Sequence, residues 1–159
     1  MKENALVCWV SSINLNTYFF LIQFLFWIGI NGAGKTTFFS MLVGDLEPTD
    51  GTAYIKNINL IDNLKQFQQQ IGYCPQFDAL LDNLTGEEML FLFGRLRGIK
   101  EKNLKRTVDC IIKMVDLVDH SKFICSAYSG GNKRKLSLGM ALIGLPRIIF
   151  LDGNLISII

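Results

Sequence analysis

Apolar residues run unbroken through Phe24-Leu25-Phe26-Trp27-Ile28 and again through Ile148-Ile149-Phe150-Leu151. Short continuous runs of this kind are the pattern of strands buried on both faces. Between them the pattern changes repeatedly. Thr36 to Val43 reads as a helix, with Gly44 as its stop. Asp45 to Gly51 has the composition of a turn. Thr52-Ala53-Tyr54-Ile55 alternates as a strand does, Leu60 to Gln70 carries a weak helical period, and Ile71-Gly72-Tyr73-Cys74 reads as a strand running out at Pro75-Gln76. Thr85-Gly86-Glu87-Glu88 has the form of a capping box. Met89, Leu92, Phe93 and Leu96 would be the apolar face of the helix it opens, with Gly98 ending it. A second helix is predicted from about Lys102 to Val118, with an inner stripe of Leu104, Val108, Ile111, Val115 and Val118. Tyr128 to Ser137 leads into an apolar helix reaching about Ile143, which Pro146 breaks.

The N-terminal flank is harder to read. Tyr18 to Ile30 is a 13-residue, mostly apolar stretch interrupted by Gln23, whereas a membrane-spanning helix needs about 20 residues. Lys2 precedes an apolar region, but Glu3 and the lack of a small-residue cleavage site argue against a signal peptide. Residues 1–23 are left without an element.

The chemistry concentrates after the first apolar run. Gly29-Ile30-Asn31-Gly32-Ala33-Gly34-Lys35-Thr36-Thr37 fits the phosphate-loop pattern at every fixed position. Glycines let successive N–H groups turn inward around an anion. Gly34 allows close backbone approach to a phosphate. Lys35 brings a compact positive charge, and the Thr36 hydroxyl is a hard oxygen ligand suited to Mg²⁺. The following helix turns its positive end to the same anion. The loop by itself specifies a nucleoside triphosphate and no enzyme class. The second apolar run ends in Asp152, a carboxylate at the C-terminal end of a buried strand, where ligands of parallel α/β sheets bind.

Composition adjusts this picture only slightly. In 159 residues, half are apolar and the net charge is +2, too mild to point to nucleic acid. A mean hydropathy of +0.30 is oily for a free-standing domain and points to a partner or a membrane neighbour. Basic residues gather at Lys100–Arg106 and Lys133–Lys135, and solvated helix faces are the expectation for both. Cys8, Cys74, Cys110 and Cys125 form no C-x-x-C pair, so reduced, mostly buried thiols are expected rather than a zinc site or a disulfide framework.

Phosphate loop, strand leading to Gln76, Ser129-Gly130-Gly131 opening a helix, and apolar strand ending in Asp152 stand in one order. Together they resemble the nucleotide-binding domain of an ATP-binding cassette (ABC) transporter over roughly Gly29 to Asp152. Gly29 to Thr36 matches Walker A, Gln76 the Q-loop glutamine, Ser129-Gly130-Gly131 the signature motif, and Ile148 to Asp152 Walker B. Tyr128 stands where leucine is usual, and Asn132 where glutamine is frequent. Asn31 to Thr37, Ile71 to Gln76, Asp82 to Thr85 and Arg134 to Ser137 are similar to the lipid-handling A subfamily.

The resemblance implies an α/β fold: a P-loop NTPase-like parallel sheet over residues 24–159, with a helical signature-motif subdomain at about 77–145, incomplete at both ends. It implies ATP and Mg²⁺ as cofactors. Gly29, Asn31, Gly32, Ala33, Gly34, Lys35, Thr36 and Thr37 would bind the phosphates, with Thr36, Gln76 and Asp152 at the metal. Ser129, Gly130 and Gly131 would meet ATP held by a second nucleotide-binding domain. Transmembrane domains not present in this chain would place it on the cytosolic face of a membrane and couple hydrolysis to lipid transport.

The departures are specific. Gly153 stands where the family has a glutamate acting as base, so no catalytic residue is assigned. The family's later histidine has no counterpart, since His120 precedes the signature and is expected at an exposed helix end. Trp9 and Tyr18 are available to stack on adenine, but no motif supports either. Residues 1–23 are expected to lack the family's antiparallel strands. These features lead to the expectation of a truncated or alternatively spliced piece, with a binding-only or non-functional fragment as the alternative to a working transporter module. A small phosphate-loop kinase is disfavoured by the signature motif.

Overall fold

The two apolar runs become neighbours. A computed structural model of the protein describes residues 7–14, 21–28 and 34–152, with side chains at 34 and 36–152. In it, β2 (Leu21–Ile28) pairs in parallel with β6 (Ile148–Leu151), in a register that sets Phe24 beside Ile149 and Phe26 beside Leu151. The sheet order is β1-β2-β6-β5, with β5 at Ile71–Cys74. This is the expected α/β architecture.

The remaining edge of β2 corrects the reading of the N-terminal flank. β1 (Val7–Asn14) pairs antiparallel with β2 from Val7↔Ile28 to Asn14↔Leu21. The flank therefore carries an antiparallel strand, although Ser11, Ser12 and Asn14 dilute its apolar pattern. β2 also begins earlier than the Phe24 start that the apolar run indicated.

The described residues divide into two units. The first comprises those up to Tyr73 together with Pro146–Asp152. After β2 it continues into α1 (Lys35–Val43), which ends as expected at Gly44, a left-handed residue with φ 86° whose N–H reaches back to Met41 and Ser40 carbonyls. A hairpin of two-residue strands, β3 (Tyr54–Ile55) and β4 (Ile58–Asn59), leads to α2 (Leu64–Gln70). Phe39, Leu42, Ile55, Leu60, Phe67, Ile71 and Phe150 form one buried cluster. Phe39 is its hinge pin: its ring lies 5.7 Å from that of Phe150 and 6.3 Å from that of Tyr73. One aromatic thus fixes α1 against both β6 and β5.

The second unit, Cys74–Leu145, is helical. It holds α3 (Gly86–Leu96), α4 (Glu101–Met114) and α5 (Gly130–Leu142), with α3 packed on the other two. The capping box of α3 is present: Thr85 Oγ1 accepts from Glu88 N–H, and Glu88 Oε2 accepts from Thr85 N–H at 2.8 Å. The inward face of α3 differs from the expected stripe. Met89 is buried, but so are Gly86, Leu90 and Gly94, while Leu96 is 72% exposed. Gly86 and Gly94, at i and i+8 on either side of Leu90, let neighbours approach closely along that line, and it turns inward. α4 stops short of Val118, which is exposed, because Asp116 takes φ 54° just past the helix end.

Replacing Phe39 by alanine is expected to cost about 3–5 kcal/mol, the range for a buried Phe, measured by urea unfolding. Phe38→Ala, at a partly buried position, should cost clearly less. Equal losses would mean that the inner face of α1 is wrongly placed.

Candidate functional site

Gly34 is the last residue before α1 and has φ 82°, a left-handed conformation that favours glycine. A Cβ there would meet nothing within 4 Å, so backbone conformation rather than crowding selects glycine. Gly29, Asn31, Gly32 and Ala33 lie outside the described residues. Lys35 is the first residue of α1, and Thr36 and Thr37 are exposed in its first turn. The first intrahelical bond runs from Phe38 N–H to Gly34 O at 2.9 Å, so the preceding N–H groups belong to the unfilled helix start. No side chain caps that start, and no carboxylate stands in its first turn. α2 and α4 likewise have no side-chain cap, whereas α3 and α5 are capped by a hydroxyl.

Asp152 directly follows β6 and is 3% exposed. The Tyr73 hydroxyl stands 3.4 Å from its Oδ2. Parallel pairing places the C-terminal ends of β2 and β6 side by side at one end of the sheet. The strand that leads to residues 29–33 and the strand that delivers Asp152 therefore end together. The donor set suits Mg²⁺: a threonine hydroxyl and a carboxylate are hard oxygens, and phosphate would supply others. No group of three or more His, Cys, Asp or Glu that could hold a metal exists among the described residues. Gly153 lies outside the described residues.

In the second unit, Gln76 is exposed in the loop after β5. Ser129 is the N-cap of α5, its Oγ accepting from Asn132 N–H at 3.2 Å, and Gly130 and Gly131 are exposed in the first turn. Two residues beside these motifs were not singled out as site residues from sequence. Tyr128 is buried, and its hydroxyl donates to the His120 carbonyl at 2.7 Å, tying the residue before Ser129 to the end of the preceding turn. Gly86 makes room for it, since a Cβ there would lie 2.1 Å from that hydroxyl. His120 is exposed as expected, in a turn rather than at a helix end.

Arg134 corrects the expectation of a solvated basic face. It is buried on α5, and its Nη1 donates to the Pro75 carbonyl and lies 3.4 Å from Asp78 Oδ1. Lys135 pairs with Asp116 at 2.7 Å. The helical period carried the signal: Gly130, Arg134, Ser137 and Ala141 share one face, and Arg134, Ser137 and Ala141 are buried. Of the thiols, Cys74 and Cys125 are buried and Cys110 is exposed.

Burial pushes the Tyr128 phenol up to about 12, against about 10 in an unfolded chain. The unfolded chain loses this proton first, so the stabilisation from the neutral buried phenol is complete below about pH 10 and is lost as pH rises toward about 12. Tyr128→Phe is expected to cost about 1 kcal/mol at neutral pH and to flatten that alkaline fall in urea melts. Equal pH slopes for the two proteins would contradict this assignment.

Known proteins resemble this chain in sequence and in fold. The ABC transporter family model matches residues 14–154. Human phospholipid-transporting ATPase ABCA3 is 50% identical over 125 residues, which are 79% of this chain and 7% of that protein. Human retinal-specific phospholipid-transporting ATPase ABCA4 is 45% identical over 125 residues, 79% of this chain and 6% of that protein. Human ATP-binding cassette sub-family A member 2 is 49% identical over the same share of this chain, 5% of its own length. The chain thus spans a small part of these relatives. A solved structure of an ATP binding subunit of an ABC transporter superposes with a TM-score of 0.67 at 22% identity, covering 93% of this chain and 79% of that one, and shares its fold. With a family model matched from the end of β1 to beyond Asp152, the chain belongs to the ABC transporter family, and its sequence similarity is to members of the A subfamily.

Proposed function

We propose that this chain binds ATP with Mg²⁺ and serves as a nucleotide-binding module of a phospholipid transporter. The observation that supports this reading is the parallel β2–β6 pair, in which the strand preceding residues 29–33 and the strand preceding Asp152 end at the same end of the sheet. Residues 29–37 would cradle the phosphates, with Lys35 at the outer ones. Thr36 would ligate the metal and Asp152 would hold it through its water shell. Bound Mg²⁺ would supply charge neutralisation of the phosphate oxygens. Gln76 would act at the metal or the attacking water. Ser129, Gly130 and Gly131, exposed at the start of α5, would contact ATP held by a second nucleotide-binding domain.

Two features bear on turnover and coupling. Gly153 offers no carboxylate to orient or deprotonate water, and a missing general base costs about 10²–10⁴-fold in rate. Binding without appreciable hydrolysis is therefore the expected behaviour of the isolated chain. No helix among the described residues is long and apolar enough to cross a membrane, so coupling to phospholipid movement would go through transmembrane domains outside this chain. The names of ABCA3 and ABCA4 as phospholipid-transporting ATPases support that substrate class.

Titration with ATP tests the reading. Affinity is expected to rise with Mg²⁺ and to fall about tenfold or more in Lys35→Ala, the loss of one charge-assisted interaction. Phosphate release is expected to be equally low in both proteins. ATP turnover that survives Lys35→Ala, or ATP affinity indifferent to it, would overturn the proposed site.

A further inference from the structure

The loop that carries Gln76 is fastened to α5 from both sides. Before it, the Cys74 thiol faces Ser137 Oγ at 3.5 Å in a buried setting. On either side of Gln76 and Phe77, the Pro75 carbonyl accepts from Arg134 Nη1, and the Asp78 carboxylate lies 3.4 Å from the same nitrogen. Arg134 and Ser137 stand one turn apart on the buried face of α5. The same helix begins with Ser129, Gly130 and Gly131.

A buried ion pair is weak evidence for stability, because desolvation consumes much of the attraction. What a guanidinium adds is geometry. Both contacts come from one nitrogen, Nη1, whose two N–H bonds are fixed in the guanidinium plane, whereas a lysine ammonium is a flexible point charge. Gln76 itself is exposed, so its direction depends on the residues that hold its neighbours.

We propose that Arg134 is a positioning residue, which clamps the Gln76 loop to the signature helix so that Gln76 is held in one fixed direction. This rests on the ATP–Mg²⁺ reading above and adds a residue to it. Pro75 and Asp78 are the points of attachment, and Gln76 is the group being aimed. Arg134 itself touches no nucleotide in this scheme.

The test uses the whole chain, with Arg134→Lys, Gln76→Ala and the two combined. ATP affinity is measured with Mg²⁺ and with EDTA, and amide hydrogen exchange is followed across 75–81. Arg134→Lys is expected to weaken Mg²⁺–ATP binding about tenfold, the worth of one hydrogen bond to a charged group. Metal-free ATP affinity should stay unchanged. Gln76→Ala should match it, and the double variant should be no worse than either single one. Exchange should accelerate at 75–81 in Arg134→Lys without acceleration in α4. Additive losses, equal losses with EDTA, or unchanged exchange at 75–81 would overturn the clamp. If the parent chain binds no ATP, the nucleotide reading fails. The exchange data then decide the clamp alone: local acceleration supports the attachment, and unchanged exchange removes it.

Discussion

The parallel pairing of β2 with β6 is the constraint on which the rest of the first unit depends. Parallel neighbours end at the same side of a sheet, so the exit of β2 and the exit of β6 open onto common ground. Gly34 and α1 follow the first exit, and Asp152 is the second. An antiparallel β6 would carry its acid to the other end of a four-residue strand, on the order of 13 Å away at the usual rise. Two hard-oxygen groups distant in sequence thereby become candidates for one cation.

The packing serves the same placement. Phe39 sits between Phe150 and Tyr73, so α1 is held on the strand that ends in Asp152 and on the strand whose tyrosine approaches it. Helix starts show a related division. Thr85 and Ser129 cap α3 and α5 with hydroxyl oxygens, as helices that satisfy their own termini do. α1 begins at a left-handed glycine without a side-chain cap. α2 and α4 also start without a side-chain cap, so what sets α1 apart is the left-handed glycine that precedes its first turn.

Local signals in the sequence proved readable. The Thr85–Glu88 capping box, the Gly44 stop, the apolar run into Asp152 and the serine opening α5 each depend on a few adjacent residues, and each appears in the structure. What the sequence obscured was non-local. β1 is defined by its partner β2, and its polar residues give no buried-strand pattern. The inner face of α3 was displaced because Gly86 and Gly94 do not score as apolar, yet their smallness draws neighbours in. Arg134 was hidden inside a basic run, where charge argues for solvent, and only a distant loop carbonyl and carboxylate give it reason to be inside. The phosphate-loop residues 29–33 remain a reading of sequence, since they lie outside the described residues.

Iron-directed cleavage tests the central claim most directly. With Fe²⁺ replacing Mg²⁺ in the presence of ATP and ascorbate, backbone scission should appear near Thr36 and near Asp152 together, and should vanish when ATP is withheld. Scission at neither position, or cutting indifferent to ATP, would show that the start of α1 and the end of β6 do not share one nucleotide-bound metal.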